Sequence, residues 1–136
     1  MARLAVRQAF EAEVQNFLNA QIPVVPFHDS INWASFQITD DLWVTAEFSA
    51  YMTNALCYEG GKRMESGSVD FMIFGKAGQG MTPAIQLGDA LADHFFTFRQ
   101  GGISVQNTIG PNEYTDGRAH GRYYGVIVSV EFDYYY

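Results

Sequence analysis

Lys76, Asp89, His94 and His120 are the side chains with which this chain could do chemistry, if the fold gathers them in a cleft beside a glycine-rich stretch, "FGKAGQGM". That stretch follows an apolar run, "VDFMIF", and precedes a helix-like one, "TPAIQLGDALADHFF". A glycine-rich turn between a strand and a helix is a common phosphate cradle, since helix N–H groups and the helix dipole face the anion. Here the glycines fall at Gly75, Gly78 and Gly80, which matches neither the dinucleotide fingerprint nor the Walker pattern. No lysine followed by Ser or Thr closes the loop; Lys76 precedes the inner glycines instead. The three glycines therefore read as a structural turn that reverses a strand into a helix.

The remaining reactive groups do not assemble in sequence. His28, His94 and His120 lie in a proline-bearing loop, on a helix and in a polar loop, with no spacing that fixes two of them on one metal. Asp89, Asp93 and His94 sit on adjacent helical turns, where charged groups ordinarily form a solvated face. No serine or cysteine occupies a nucleophile elbow, and the carboxylates are scattered rather than paired. Cys57 is the sole cysteine, so no intramolecular disulfide is possible, and it reads as a small apolar residue. No catalytic residue, metal or cofactor is expected.

The bulk numbers point the same way. A chain of 136 residues with 48% hydrophobic composition suits one domain, 1–136. Its formal charge of −7 and pI near 4.7 argue against a surface that gains affinity by neutralising phosphates. "MARLAVRQAFEAEVQNFL" carries polar residues throughout, unlike a signal peptide, and no apolar run is long enough to span a bilayer. A soluble protein made in the cytosol is the expectation.

Those candidate groups must be positioned by a small set of elements. Val6, Phe10, Val14 and Phe17 recur at helical spacing and predict an amphipathic helix that ends before Pro23. Residues 22–41 have no sustained period and read as a long connection, with a short extended piece at 33–38 in which Trp33 and Phe36 pin it to the core. From Leu42 the period becomes two, placing Val44, Ala46, Phe48 and Ala50 on one face and Trp43, Thr45, Glu47 and Ser49 on the other. A second strand runs from about Lys62 to Phe74, after "YMTNALCYEGG". Thr82 is a fair N-cap with Pro83 in the first turn, and Leu87, Leu91, Phe95 and Phe98 form the stripe of a second helix. Gly101-Gly102 suits its end. Ile103 to Ile109 suggests a short strand, "GPNEYTDGRAHGR" a polar loop, and Tyr124, Val126, Val128, Val130 and Phe132 one face of a last strand. The expected fold is α+β: two helices packed on one face of a four-stranded, mostly antiparallel sheet, with a long β-hairpin arm.

Two segments suggest protein contacts. The hairpin arm combines Tyr51, Met52, Leu56 and Tyr58 with Glu59 as its one charge, and is continued by Arg63 and Met64. The tail, "EFDYYY", ends in Tyr134, Tyr135 and Tyr136, amphipathic rings enriched at interfaces. Folding of the arm onto its own sheet, and simple continuation of the last strand, are the plainer readings of the two segments.

Taken in order, the chain resembles the tail-terminator family of long-tailed bacteriophages, with its related tail-completion proteins. The likeness is carried by "RLAVRQAFEAEVQNFL", "QIPVVPFHDS", "DLWVTAEF", "SGSVDFMIFGKAGQG", "LADHF", "GGISV" and "RYYGVIVSVEF". It implies a ring of copies, usually six, that caps the tail tube, stops its growth and meets the head-completion proteins. DNA would only pass through the lumen, and the acidic pI would suit such passage. It also implies a virion protein that works without enzyme activity, with no membrane partner. Rival readings are another neck or connector protein of the same virion, a small-ligand enzyme beside the glycine loop, and a monomeric interaction module.

Overall fold

The computed structural model describes residues 2–29, 31, 38–55, 63–114 and 122–135. Helix α1 spans Ala2–Asn19 and buries Val6, Phe10, Val14 and Leu18, four positions apart along one stripe. Two long strands follow, β1 (Leu42–Ala55) and β2 (Arg63–Lys76), then helix α2 (Thr82–Phe96). The chain closes with β3 (Arg99–Gln100), β4 (Ile103–Tyr114) and β5 (Tyr123–Tyr135). The strands form one curled antiparallel sheet in the order β1-β2-β5-β4-β3, so the fold is α+β.

The sheet has five strands where four are expected. The addition is β3, whose two residues pair as Arg99↔Ser104 and Gln100↔Ile103. Gly101 and Gly102, at φ 55° and 89°, make the two-residue turn of that hairpin rather than the end of α2. Paired positive φ values match the twist of flanking strands, which is why such glycines favour tight hairpins. At the other end of α2 the flanking residue is Met81, without a side-chain cap, so Thr82 is the first helical residue and not the N-cap; Pro83 does lie in the first turn. Strand β4 also continues through Gly110 and Pro111, which the sequence places in a loop, by shifting register between Val105 and Asn107 and again between Ile109 and Asn112. The segment 32–37, with Trp33 and Phe36, and Cys57 lie outside the described residues.

Both helices pack on one face of the sheet. Phe10 of α1 meets Phe95 of α2 at 5.9 Å and Phe132 of β5 at 4.9 Å between ring centroids, and Phe71 of β2 stacks on Phe95 at 5.0 Å. Val44, Val69, Ile73, Val126, Val128 and Val130 complete this core from the strands. Each large side chain so buried contributes about 1.5–3 kcal/mol.

The opposite face is not simply solvated. Trp43, fully buried, stacks on Phe74 at 4.5 Å and meets Tyr123 edge-on at 5.5 Å; Met72 joins them, and Ile31, Ile38 and Ile127 pack around. Residues before β1 thus fold back over one end of this face. The alternation of β1 holds from Leu42 to Ser49, where the register shifts before Met52, and at Trp43 both of its sides are buried.

Candidate functional site

The glycine-rich turn forms at one end of the sheet. Gly75 still belongs to β2, between Leu42 of β1 and Tyr124 of β5. Beyond it the Gln79 amide donates to the Lys76 carbonyl at 3.2 Å, and the Ala77 amide to the Arg122 carbonyl at 2.8 Å. Gly78 and Gly80 adopt φ 90° and 80°, and nothing within 4 Å would meet a Cβ on either. Their positive φ accounts for glycine at both positions without any close approach to neighbouring protein atoms. The Lys76 ammonium lies 3.7 Å from the Asp41 carboxylate, with both side chains at least half exposed.

The other chemistry-bearing side chains sit apart on different elements. His94 of α2 pairs with Glu13 of α1 at 2.8 Å, and its ring lies 4.8 Å from that of Phe17, so it ties the two helices together. His28 pairs with Asp40 at 2.9 Å and stands edge-on to Trp43. Asp89 and Asp93 are exposed on α2. His120 lies outside the described residues, and among those described no group of three His, Cys, Asp or Glu could hold a metal.

Around Tyr123 the arrangement is that of a structural lock. Its hydroxyl lies 3.0 Å from the Ile38 carbonyl and 2.8 Å from that of Asp40. Burial pushes the Tyr123 pKa up, and the nearby Asp40 and Asp41 carboxylates add to this while Arg122 opposes it. A proton held more firmly serves to anchor the 38–41 segment over the Trp43 cluster.

The candidate contact residues converge at the opposite end of the sheet. Met64 lies between Asn54 of β1 and Tyr135 of β5, Arg63 pairs with Ala55, and Met52 with Ser66. Tyr51 is also in β1, whereas Leu56, Tyr58 and Tyr136 lie outside the described residues. Tyr134 is half-buried, opposite both Glu65 and Ile103, while Tyr135 is 46% exposed. The Tyr135 amide donates to the Gly102 carbonyl at 3.1 Å, and the Ser66 hydroxyl to an Asp133 carboxylate oxygen at 2.6 Å. Hairpin and tail, far apart in sequence, are ladder neighbours here.

A third feature is invisible without the register. Strand alternation carries Glu47, Asp70, Glu131 and Asp133 onto the sheet face away from the helices, beyond the Trp43 cluster. Glu47 and Asp70 are direct cross-strand partners; Ser129 donates to Asp70 at 2.7 Å, and Ser49 and Ser68 bond each other at 2.7 Å. The four carboxylates come from three strands, so no local motif announces them.

No protein-family model matches this chain, and no curated protein matches it. Solved structures do. One of them, known by a protein identifier without a functional name, aligns over 98% of this chain and 96% of its own with a TM-score of 0.66 and 19% sequence identity. At that identity the likeness establishes a shared fold across the whole domain and nothing about activity.

Proposed function

We propose that the protein is a structural subunit of the tail of a long-tailed bacteriophage, of the tail-terminator kind. Copies assemble as a ring, hexameric by the family resemblance, that caps the tail tube, ends its polymerisation and joins it to the head-completion proteins. It works in the virion, at the head-proximal end of the tail, without catalysis.

The observation that carries this reading is the convergence of the hairpin and the tail on one end of the sheet, where Met64 and Tyr135 are paired. One continuous surface built from both candidate contact segments suits a subunit with neighbours, and the hairpin between β1 and β2 would serve as its arm. The acidic sheet face supports the reading from a second side. Turned toward a lumen, Glu47, Asp70, Glu131 and Asp133 would repel a passing phosphate backbone and let it slide.

Electron microscopy of particles made when the gene is disrupted tests the proposal. Overlong tails without heads are expected. Tails of normal length lacking heads would move the protein to another neck position, and unaltered infectious particles would overturn the reading. Within the intact virion gene, Tyr135→Ala should impair assembly while leaving the isolated domain folded.

A further inference from the structure

The two ends of α2 carry complementary surfaces. At its start, the first turns of the helix and the chain between α1 and β1 form an open groove of about 580 Å³, large enough for an aromatic side chain and the segment that bears it. Its walls are apolar: Pro23, Pro26, Pro83 and Leu87 line it, and Ile22 and Val24, which line it too, are 99% and 59% exposed. Asp40 and Asp41 add carboxylates to the same groove. His28 holds that of Asp40 at 2.9 Å, whereas the Asp41 side chain is 65% exposed and has the Lys76 ammonium at 3.7 Å, beyond hydrogen-bonding distance. Asp41 therefore has oxygens to offer a second cation.

At the other end of the helix stands the inverse of this groove. Phe96 is 61% exposed, and Arg99, three residues on, is exposed as well. The Arg99 guanidinium donates to the Ser104 hydroxyl, and among the described residues no carboxylate pairs with it. Pro83 and Phe96 are thirteen positions apart on α2, about 20 Å, so one copy's Phe96 cannot fill its own groove. This end is also continuous with the candidate contact surface, because the Gly102 carbonyl that follows β3 accepts from the Tyr135 amide. The apolar walls and the carboxylate that suit Phe96 and Arg99 lie at the opposite end of the helix, which makes the matching contact head-to-tail rather than two-fold.

We propose that the Phe96 and Arg99 end of α2 docks in the α2-start groove of a second copy, with Phe96 among the prolines and Arg99 on Asp41. A head-to-tail contact repeats from copy to copy and closes into a ring where the rotation permits. This contact rests on the ring reading above and names the surfaces that build the ring.

Sedimentation velocity of the full chain is the test. The unaltered chain should self-associate. Phe96→Ser, Arg99→Asp and Asp41→Arg should each weaken association roughly tenfold or more, as loss of an anchor does, while circular dichroism shows each still folded. All three side chains are exposed, so folding does not depend on them. Arg99→Asp and Asp41→Arg combined in one chain should restore association, and so should a mixture of the two single variants, because each then meets a partner of opposite charge. An unaltered chain that stays monomeric, single variants that associate undiminished, or a charge exchange that rescues neither the combined chain nor the mixture would overturn the contact. A monomer whose gene disruption still gives overlong tails would remove the contact and leave the tail reading standing. Charge rescue together with unaltered infectious particles would do the reverse.

Discussion

Gly88 of α2 and Pro111 of β4 stand so close that a Cβ built on the glycine would lie 2.7 Å from the proline Cβ and 3.2 Å from its Cγ. The helix reaches the sheet at this point because one partner has no side chain and the other has a flat, rigid ring. Two effects oppose each other in Gly88→Ala. Helix propensity favours alanine by about 1 kcal/mol, and overpacking against a ring that cannot rotate away costs about 1–3 kcal/mol. The variant should lose up to about 2 kcal/mol in urea unfolding, and adding Pro111→Ala should restore part of it. A more stable single variant would mean that α2 slides freely on β4.

Alkaline pH should loosen the molecule at Tyr123. Its pKa is raised in the folded state, first by burial, and that of Tyr124 is raised by burial too. A raised folded pKa gives stability that is complete below the unfolded value, near 10, and is lost as pH rises through the folded one. Urea midpoints should hold to about pH 10 and fall above it. Tyr123→Phe should be less stable at neutral pH, by about 1–3 kcal/mol for carbonyls left without their donor, and should show a shallower alkaline decline. An identical alkaline slope in both proteins would assign the loss to other groups.

The two turn glycines between β3 and β4 should differ in tolerance. Gly101, at φ 55° with open space around it, sits where asparagine is comfortable, so Gly101→Asn should cost less than about 0.5 kcal/mol. At Gly102, φ is 89° and a Cβ would meet the Tyr135 carbonyl oxygen at 2.5 Å, so Gly102→Ala should cost about 2 kcal/mol or more. Thermal unfolding ranks the pair. Equal losses would show that the tail strand moves away at little cost.

Where a periodic pattern carried the information, the fold was legible before any coordinates. The stripe of α1 and the alternation of β1 and β5 needed only that buried side chains recur at the period of their element. β3 was not legible, because two residues have no period, and "FRQGGISV" is equally compatible with a helix end and a hairpin turn. The burial of Trp43 was missed because Ile31 and Ile38, which cover it, come from an aperiodic stretch. For the candidate surface, sequence identified Met64 and Tyr135 separately but gave no register to join them. Glu47 and Asp70 show the same limit: each is an ordinary polar position of its own strand, and only pairing makes them neighbours.

The order of strands in the sheet has a consequence for how the chain acquires its shape. β5 is made after every other element described, yet it lies at the centre, joining β2 on one side to β4 on the other. Asp70 and Ser129, which bond across that centre, are 59 positions apart. Such long loops close late, so the growing chain must carry β2 and β4 with one side of each unmatched until β5 arrives. During translation the sheet depends on the arrival of β5, and slowing synthesis between β4 and β5 should cost soluble yield more than slowing it between any two earlier elements.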